Sequence, residues 1–330
     1  EDNEDVEVTL LSDSGADLHN FNPTADDFVK IWDSDLFVYI GGLSENWANE
    51  ASRGRDGEEL KSIRLINWLE DRLVEGHHHD HDDHDHVDDH ADDHEDNHAD
   101  DHADDHEDNH ADDHADEPAD EHHDDNHSGN TDTDVLTDSN DNDEPAVEVG
   151  AGIVTADEHI WLSVQNAKIC VENLRDVIVW LDPGHTQEYK QNADNYIQKL
   201  EKLDEEYRNL TDQNKGKAVI FGDSFPFVYL FNDYGLEHFA AHDGCSSEAS
   251  ASFERIVSLS QKADELGVNA ICALENSDQK VANAVKDSAK NKELKILTLD
   301  SMQSCDPDNR KEYCEIMEDN LNVLKELLDY

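Results

Sequence analysis

The chain has 330 residues and carries 83 Asp and Glu against 24 Lys and Arg, a formal net charge of −59 at pH 7. Nucleic acids and anionic membrane surfaces are bound by clustered basic side chains, so this balance excludes both as partners. A transmembrane helix is excluded as well, because no run of about 18 apolar residues is present. The five cysteines lack CxxC spacing, which predicts neither a disulfide framework nor a cysteine zinc site.

The first part of the chain alternates strand and helix patterns around a loop that carries a histidine. Short apolar runs predict buried strands at residues 6–11 and 36–41, and a helical pattern covers residues 24–32. His19 falls in the loop between the first strand and this helix. Parallel α/β folds place ligands at such strand ends, so His19 is a candidate ligand.

Residues 77–127 form a segment rich in His and Asp, called here the His/Asp tract. Residues 77–145 together hold 30 acidic residues, 16 of the 21 histidines and no Lys or Arg. The repeat HADDHEDNHADD occurs at 90–101 and again at 102–113. Because nothing apolar is available to bury, we expect the tract to be disordered without metal, and residues 128–145 to continue it as a polar linker.

The composition of the His/Asp tract favours metal binding over a solvated spacer. Neutral imidazoles are good zinc ligands, and carboxylates fill the remaining positions. Each site should be weak, because binding has to order the chain. The candidate low-affinity ligands are His77, His78, His79, His81, His84, His86, His90, His94, His98, His102, His106, His110, His114, His122, His123 and His127.

A second loop that carries a histidine follows the tract. His159 lies in the sequence DEHIWLS, ahead of a helical pattern over residues 166–179, and is the second candidate ligand. Asp182-Pro183-Gly184 then provides a helix start, and apolar residues recur at helical spacing from His185 to residue 210. At ~1.5 Å per residue this helix is about 40 Å long. We therefore interpret it as a connector between two lobes.

The last part of the chain returns to alternating strands and helices. Apolar runs predict buried strands at residues 218–222, 268–274 and 294–299. The intervening helical patterns cover residues 224–234, 248–266, 278–290 and 310–328. This alternation predicts an α/β architecture with mostly parallel sheets.

Four ordered stretches of the sequence resemble the zinc/manganese solute-binding proteins of ABC transporters. GADLHNFNPTADDFVKIWDSDLFVYIGG resembles the family's first metal-histidine loop with its helix and strand, and DEHIWLSVQNAKI resembles the second metal-histidine motif. FGDSFPFVYLFNDYGL resembles the start of the second lobe. LTLDSMQS with the helix YCEIMEDNLNVLKELL resembles the last acidic-ligand loop and the terminal helix. Family members often carry a His- and acid-rich insertion where residues 77–127 lie.

The resemblance implies two Rossmann-like lobes with mostly parallel sheets, joined by a long rigid helix, and a metal cleft between the lobes. Family members usually have one further strand and helix before the stretch that resembles residues 6–11, so we expect either that the chain is a fragment or that the first lobe is incomplete. The expected parts are a first lobe of residues 1–76 with 146–183, an insertion of residues 77–145, a connecting helix of residues 184–212, and a second lobe of residues 213–330.

The resemblance also implies a metal site of three histidines and one carboxylate. The matching positions are His19, His159, the position of Gly222, and Asp300. Glycine has no ligand atom, so the expected set becomes His19, His159, Asp300 and the neighbouring Asp223. Both aspartates have an alternative interpretation, a helix cap for Asp223 and a cap or turn for Asp300. The substitutes at other predicted strand ends are Glu275, Cys245 and Glu248. Trp161 is expected to be a packing residue near the cleft, and His238 and His242 are expected at the surface.

The leading functional prediction is capture of zinc (Zn2+) and its delivery to an ABC-transporter membrane permease, with the His/Asp tract as a low-affinity antenna. Two imidazoles favour zinc, and extra carboxylates shift a site toward manganese (Mn2+). We expect an extracytoplasmic monomer, either a cell-surface lipoprotein or a periplasmic protein. The alternative is a zinc buffer in which the tract is the main binding element. An enzyme is not expected, because HExxH, GxSxG and P-loop motifs are missing.

Overall fold

The computed structural model describes residues 6–12, 15, 17–54, 60–75, 156–244, 251–305 and 310–330. The His/Asp tract and the substitute ligands Cys245 and Glu248 lie outside these residues. In the described part, the chain forms two parallel sheets and a long helix, so the predicted α/β class is confirmed. The lobe boundaries drawn from the sequence stay predictions. None of the helices within these ranges is both long enough and apolar enough to cross a membrane.

The described residues contain six strands and eight α-helices. The strands are β1 (Phe37–Tyr39), β2 (Ser62–Arg64), β3 (Ala218–Phe225), β4 (Glu237–Asp243), β5 (Ala270–Leu274) and β6 (Lys295–Leu299). The helices are α1 (Ala25–Trp32), α2 (Ala48–Ala51), α3 (Val164–Leu181), α4 (Thr186–Gln213), α5 (Val228–Tyr234), α6 (Phe253–Leu266), α7 (Lys280–Ser288) and α8 (Tyr313–Leu327).

The smaller sheet pairs β1 with β2 in parallel. Helix α1 begins with a capping box, in which Thr24 and Asp27 exchange hydrogen bonds between side chain and backbone. Ile31 of α1 and Phe37 of β1 are buried against the alanines of α2. This small core supports the loop that carries His19, which ends directly before α1.

Helices α3 and α4 form the long connection that the sequence predicts. Helix α4 has 28 residues and is therefore about 42 Å long at ~1.5 Å per residue. Its C-terminal half buries Leu200, Leu203 and Tyr207 in the main core. The Tyr207 hydroxyl donates to the Met317 carbonyl of α8 at 2.8 Å, which joins the end of the connector to the terminal helix.

The larger sheet has the order β4-β3-β5-β6, with each neighbouring pair parallel. Its central strands β3 and β5 are continuous apolar runs because helices cover both faces. One face packs against α4, α5 and α8, and the other packs against α6 and α7. The C-terminal ends of β3, β5 and β6 carry Asp223, Glu275 and Asp300, the positions where an open parallel sheet places ligands.

Three sequence predictions about secondary structure are wrong within the described residues. Residues 6–11 form no strand, and Val6, Val8 and Leu10 are 44%, 88% and 47% exposed. The alternating apolar pattern of residues 6–11 does not produce a strand, because β1 and β2 pair with each other and not with this segment. The helix predicted from residue 224 begins at Val228, since β3 continues to Phe225.

The third error is an omission, because the sequence analysis predicted neither strand β4 nor the shorter elements β2 and α2. Strand β4 is the longest of the three. Its sequence EHFAAHD carries two histidines and no β-branched residue. The strand nevertheless forms, because it lies at the edge of the sheet and pairs only with β3. Edge strands tolerate polar side chains that central strands exclude. Its histidines, His238 and His242, were expected at the surface and are half-buried instead.

Candidate metal site

The first candidate ligand, His19, lies in a short turn that its neighbour Asp17 organises. Asp17 caps the 3-10 turn Leu18–Asn20. Its Oδ1 accepts the backbone N–H of His19 at 2.8 Å and lies 2.8 Å from the ring Nδ1 of the same residue. One carboxylate oxygen therefore holds both the backbone and the ring of His19.

The second candidate ligand, His159, has the same surroundings 140 positions later in the sequence. Oδ1 of Asp157 accepts the backbone N–H of His159 at 3.0 Å and lies 2.8 Å from its Nδ1. The His159 side chain is only 3% exposed. Both turns thus read Asp-x-His. That spacing is visible in the sequence and would have identified Asp17 and Asp157, which the sequence analysis did not single out.

The paired carboxylates decide which ring nitrogen is available to a metal. An ionised carboxylate only accepts hydrogen bonds, so Nδ1 of each histidine donates and Nε2 is the coordinating atom. Carboxylates in this position commonly orient metal-binding histidines and make them more basic. The ring centroids of His19 and His159 are 5.2 Å apart. Two imidazoles on one tetrahedral zinc ion, with Zn–N of about 2.0–2.1 Å, also place their centroids about 5 Å apart.

Each Nε2 atom faces a polar group that the sequence analysis did not single out. Nε2 of His19 lies 3.0 Å from Oε1 of Glu158. Nε2 of His159 lies 3.0 Å from the Gln303 carboxamide nitrogen, which donates because that Nε2 carries the lone pair. The Glu158 carboxylate is an acceptor, so Nε2 of His19 donates to it. A metal ion therefore has to displace this proton at His19 and the Gln303 contact at His159.

Glu158 is fixed and ionised. Its Oε2 accepts the backbone N–H of Ser44 at 3.0 Å and the Ser44 hydroxyl at 2.6 Å. Burial acts to raise the pKa of the Glu158 carboxyl, but the hydrogen bonds from His19 and Ser44 outweigh it and lower that pKa to about 2. The site therefore contains a buried carboxylate at neutral pH.

Residues from the second half of the chain hold both histidine turns in place. The indole of Trp161 lies 5.2 Å from the His159 ring between centroids and donates to the Ser301 carbonyl at 2.9 Å. The backbone N–H of Leu18 donates to the Gln303 carbonyl at 2.7 Å. The Tyr229 hydroxyl donates to the Asp157 carbonyl at 2.7 Å. Trp161 is therefore a packing residue beside the site, as the sequence analysis expected.

The expected ligand Asp223 contacts the backbone of two strand ends. Its Oδ1 accepts the N–H of Ser224 at 2.9 Å, and its Oδ2 accepts the N–H of Leu274 at 3.3 Å. Gly222, the position at which the family resemblance implies a third histidine, faces helix α7. A Cβ at this position would lie 2.5 Å from Cα of Ala282, so no side chain can be directed from there into the site.

The expected ligand Asp300 accepts the backbone N–H of Met302 through Oδ1 at 2.8 Å, which is the turn contact considered as its alternative. The Asp300 backbone is held by Asn320 of α8. Glu275, the substitute, accepts the N–H and hydroxyl of Ser301 at 2.7 and 2.6 Å. Burial raises the pKa of the Glu275 carboxyl, and the nearby charge of Asp300 raises it further.

The structure brings His19 and His159 together and leaves the predicted carboxylates in turn and strand-end contacts. Within residues 6–75 and 156–330, as far as they are described, no three His, Cys, Asp or Glu side chains already stand in an arrangement that holds a metal ion. Loading the site therefore requires side-chain rotation. His185, expected in the first turn of the connector, caps α4 and bonds to Asp182.

Comparison with known proteins identifies a matching family model and similar sequences. The family model for ZnuA, the periplasmic component A of the zinc-uptake complex, matches residues 3–327. The zinc-binding protein AdcA of Streptococcus pyogenes serotype M3 is 25% identical over 322 residues, covering 97% of this chain and 52% of its own length. The high-affinity zinc uptake system protein ZnuA of Bacillus subtilis is 26% identical over 322 residues, covering 98% and 81%.

Solved structures of similar proteins share the fold of this chain. The Zn(II)-bound ZnuA-like domain of Streptococcus pneumoniae AdcA superposes with a TM-score of 0.62 at 23% identity, covering 98% of this chain and 91% of that one. The chain spans about half the length of the AdcA relatives that it matches. The family description names a transport component, which confirms the prediction that the chain is not an enzyme. By the match over residues 3–327, the chain belongs to the ZnuA family of periplasmic zinc-uptake components.

Proposed function

We propose that this protein captures zinc outside the cytoplasm, at a site built on His19 and His159, and delivers it to the membrane permease of an ABC transporter. The observation that carries the proposal is the pair of Asp-x-His turns, whose rings stand 5.2 Å apart with Nδ1 held by a carboxylate. The family description, a periplasmic component of zinc uptake, supports the location and the transport role.

Zinc is the proposed metal for a chemical reason. Two imidazoles with few carboxylates suit zinc, whereas manganese prefers sites that are richer in oxygen. The names of the two curated relatives also specify zinc. Of the carboxylates expected from the sequence, Asp300 and Asp223 stay predicted ligands, although each accepts backbone N–H bonds in the metal-free protein.

The His/Asp tract has a proposed role as an antenna. Its 16 histidines and many carboxylates attract divalent cations and raise their concentration around the tract. Binding to the tract is weak, because each bound ion must order several residues of the chain. Zinc dissociates readily from these weak sites and binds at the tight site, where its affinity is higher.

A second candidate function is zinc buffering by the tract, with the folded part as a scaffold. One observation favours it: the described residues contain no ready arrangement of three metal-binding side chains. In that case the folded part contributes no tight site. Removal of its two histidines would then leave zinc capacity and affinity unchanged.

Zinc titration against a competing chelator separates the two functions. Capture predicts one tight site and several weak ones, so His19→Ala with His159→Ala abolishes the tight site, and deletion of residues 77–127 abolishes only the weak ones. His185→Ala with His98→Ala is the matched control, since it also removes two imidazoles and leaves the tight site intact. A tight site that survives in the His19/His159 variant, or disappears with the tract, contradicts the capture function.

A further inference from the structure

Two imidazoles leave a zinc site incomplete, since zinc in proteins takes about four ligands. Asp223 already accepts backbone N–H groups with both oxygens, from Ser224 and Leu274, and Asp300 accepts the N–H of Met302 with Oδ1. Each of these contacts belongs to a turn or a strand end. The carboxylate that touches a candidate ligand nitrogen is a different one, Glu158.

The spacing between Glu158 and His19 fits a shared metal ion. Oε1 of Glu158 lies 3.0 Å from Nε2 of His19, the nitrogen left for coordination by the Asp17 contact. Two ligand atoms on a tetrahedral zinc ion at about 2.0–2.1 Å are separated by about 3.3 Å. The two atoms are therefore within about 0.3 Å of the separation that they would have on a shared ion. Side-chain rotation that brings the remaining ligand atoms onto the same ion completes the site.

The surroundings of Glu158 direct one oxygen to this place and hold the other. Its side chain is 12% exposed, and its Oε2 is bound by both the N–H and the hydroxyl of Ser44. Gly42 makes this approach possible, because a Cβ there would overlap the Glu158 side chain. With Oε2 engaged, Oε1 is the oxygen presented to His19.

Glu158 is also the chain neighbour of His159, so one short turn brings both groups to the His19 ring. The rings of His19 and His159 are 5.2 Å apart, as expected for one shared ion. We propose that Glu158 supplies the carboxylate ligand of the zinc site through Oε1, beside Nε2 of His19 and Nε2 of His159. This inference rests on the proposed zinc capture by the two histidines.

The test compares carboxylates that are converted to carboxamides in the full-length chain. Glu158→Gln removes the charge and keeps the shape. Glu201→Gln, at a 55% exposed position of α4, is the matched control, and Asp223→Asn and Asp300→Asn test the competing assignment of the carboxylate. Zinc affinity of the tight site is measured by chelator competition, which leaves the weak sites of the tract unoccupied. We expect Glu158→Gln to weaken zinc binding by at least about a hundredfold, since losing a direct ligand costs no less than losing an outer hydrogen-bonding partner. Glu201→Gln should change it by less than about threefold, as for an exposed charge.

Cobalt(II) at one equivalent gives a second readout. The visible absorption of the bound ion reports its ligands, so Glu158→Gln should alter the spectrum, and both Asp variants should leave it unchanged. Thermal unfolding of the metal-free variants checks that they fold. Should Glu158→Gln not fold, Ser44→Ala decides, since it removes the hydroxyl that positions Oε2 and keeps both the backbone contact and the carboxylate. A loss of zinc affinity of several-fold supports the proposal, and an unchanged affinity overturns it.

The outcomes separate this inference from the function on which it rests. If His19→Ala with His159→Ala loses the tight site while Glu158→Gln binds zinc like the parent protein, Glu158 is not a ligand and capture by the histidines stands. A loss of affinity in Asp223→Asn or Asp300→Asn alone assigns the carboxylate to that residue instead. If the histidine double variant keeps its tight site, the proposed function fails and the assignment of Glu158 fails with it.

Discussion

Substitution of Asp157 by Asn tests whether the carboxylate behind His159 contributes to metal affinity. The carboxamide oxygen of Asn can still accept the two bonds that Oδ1 of Asp157 now accepts, at 3.0 Å from the backbone and 2.8 Å from Nδ1. What is lost is the negative charge. A hydrogen bond to a charged group contributes about 1.5–3 kcal/mol and a neutral one about 0.5–1.5 kcal/mol. The midpoints of these two ranges differ by about 1.25 kcal/mol, which corresponds to a fall in zinc affinity of about eightfold.

Asp17→Asn is the matched control, because it makes the same change behind His19. Asp17 is 42% exposed and Asp157 is 8% exposed, so water screens the charge of Asp17 more strongly. We expect a fall of about twofold for Asp17→Asn. The zinc dissociation constants of both variants are measured by chelator competition with the full-length chain. Thermal unfolding curves without metal verify that both variants fold. An equal effect of the two substitutions, or a larger effect of Asp17→Asn, refutes the argument from burial.

Two further predictions follow from close contacts near the site. Gly222→Ala forces a Cβ to within 2.5 Å of Ala282 and should destabilise the fold by about 1–3 kcal/mol, whereas Gly184→Ala, with Asp182 Oδ1 at 3.3 Å as the nearest atom, should be nearly neutral in a denaturant titration. A neutral Gly222→Ala contradicts the packing of β3 against α7. Gln303→Ala removes the donor on Nε2 of His159, so zinc should bind about two- to tenfold tighter. Weaker binding in a calorimetric titration instead means that Gln303 itself takes part in holding the metal.

Local apolar patterns predicted the central strands of the larger sheet well. The central strand β5 lies within the predicted residues 268–274, and β3 begins at the predicted residue 218, because a strand covered on both faces needs a continuous apolar run. The edge strand β6 lies within the predicted residues 294–299 as well. Residues 6–11 show a similar pattern and form no strand, while β4 is polar and forms one. The two segments differ in strand pairing: β4 pairs with β3, whereas residues 6–11 pair with neither strand of the smaller sheet. Backbone pairing depends on that neighbour, which the local sequence does not contain.

The sequence by itself determined the α/β class, the long connector, the His/Asp tract and the two histidines of the site. These features are local: they depend on periodicity, composition and the position of a residue between a strand and a helix. Motifs quoted for the family resemblance carried His19 and His159 as well, and both lie in the candidate site.

Only the tertiary structure decided which groups surround those histidines. Glu158 and Ser44 are 114 positions apart in the chain, and His159 and Gln303 are 144 positions apart. The direction of a side chain at a strand end depends on the elements packed beside it, as Gly222 shows by facing α7. Side-chain direction depends on packing between distant segments, so local sequence patterns did not identify Glu158 as the carboxylate in contact with His19.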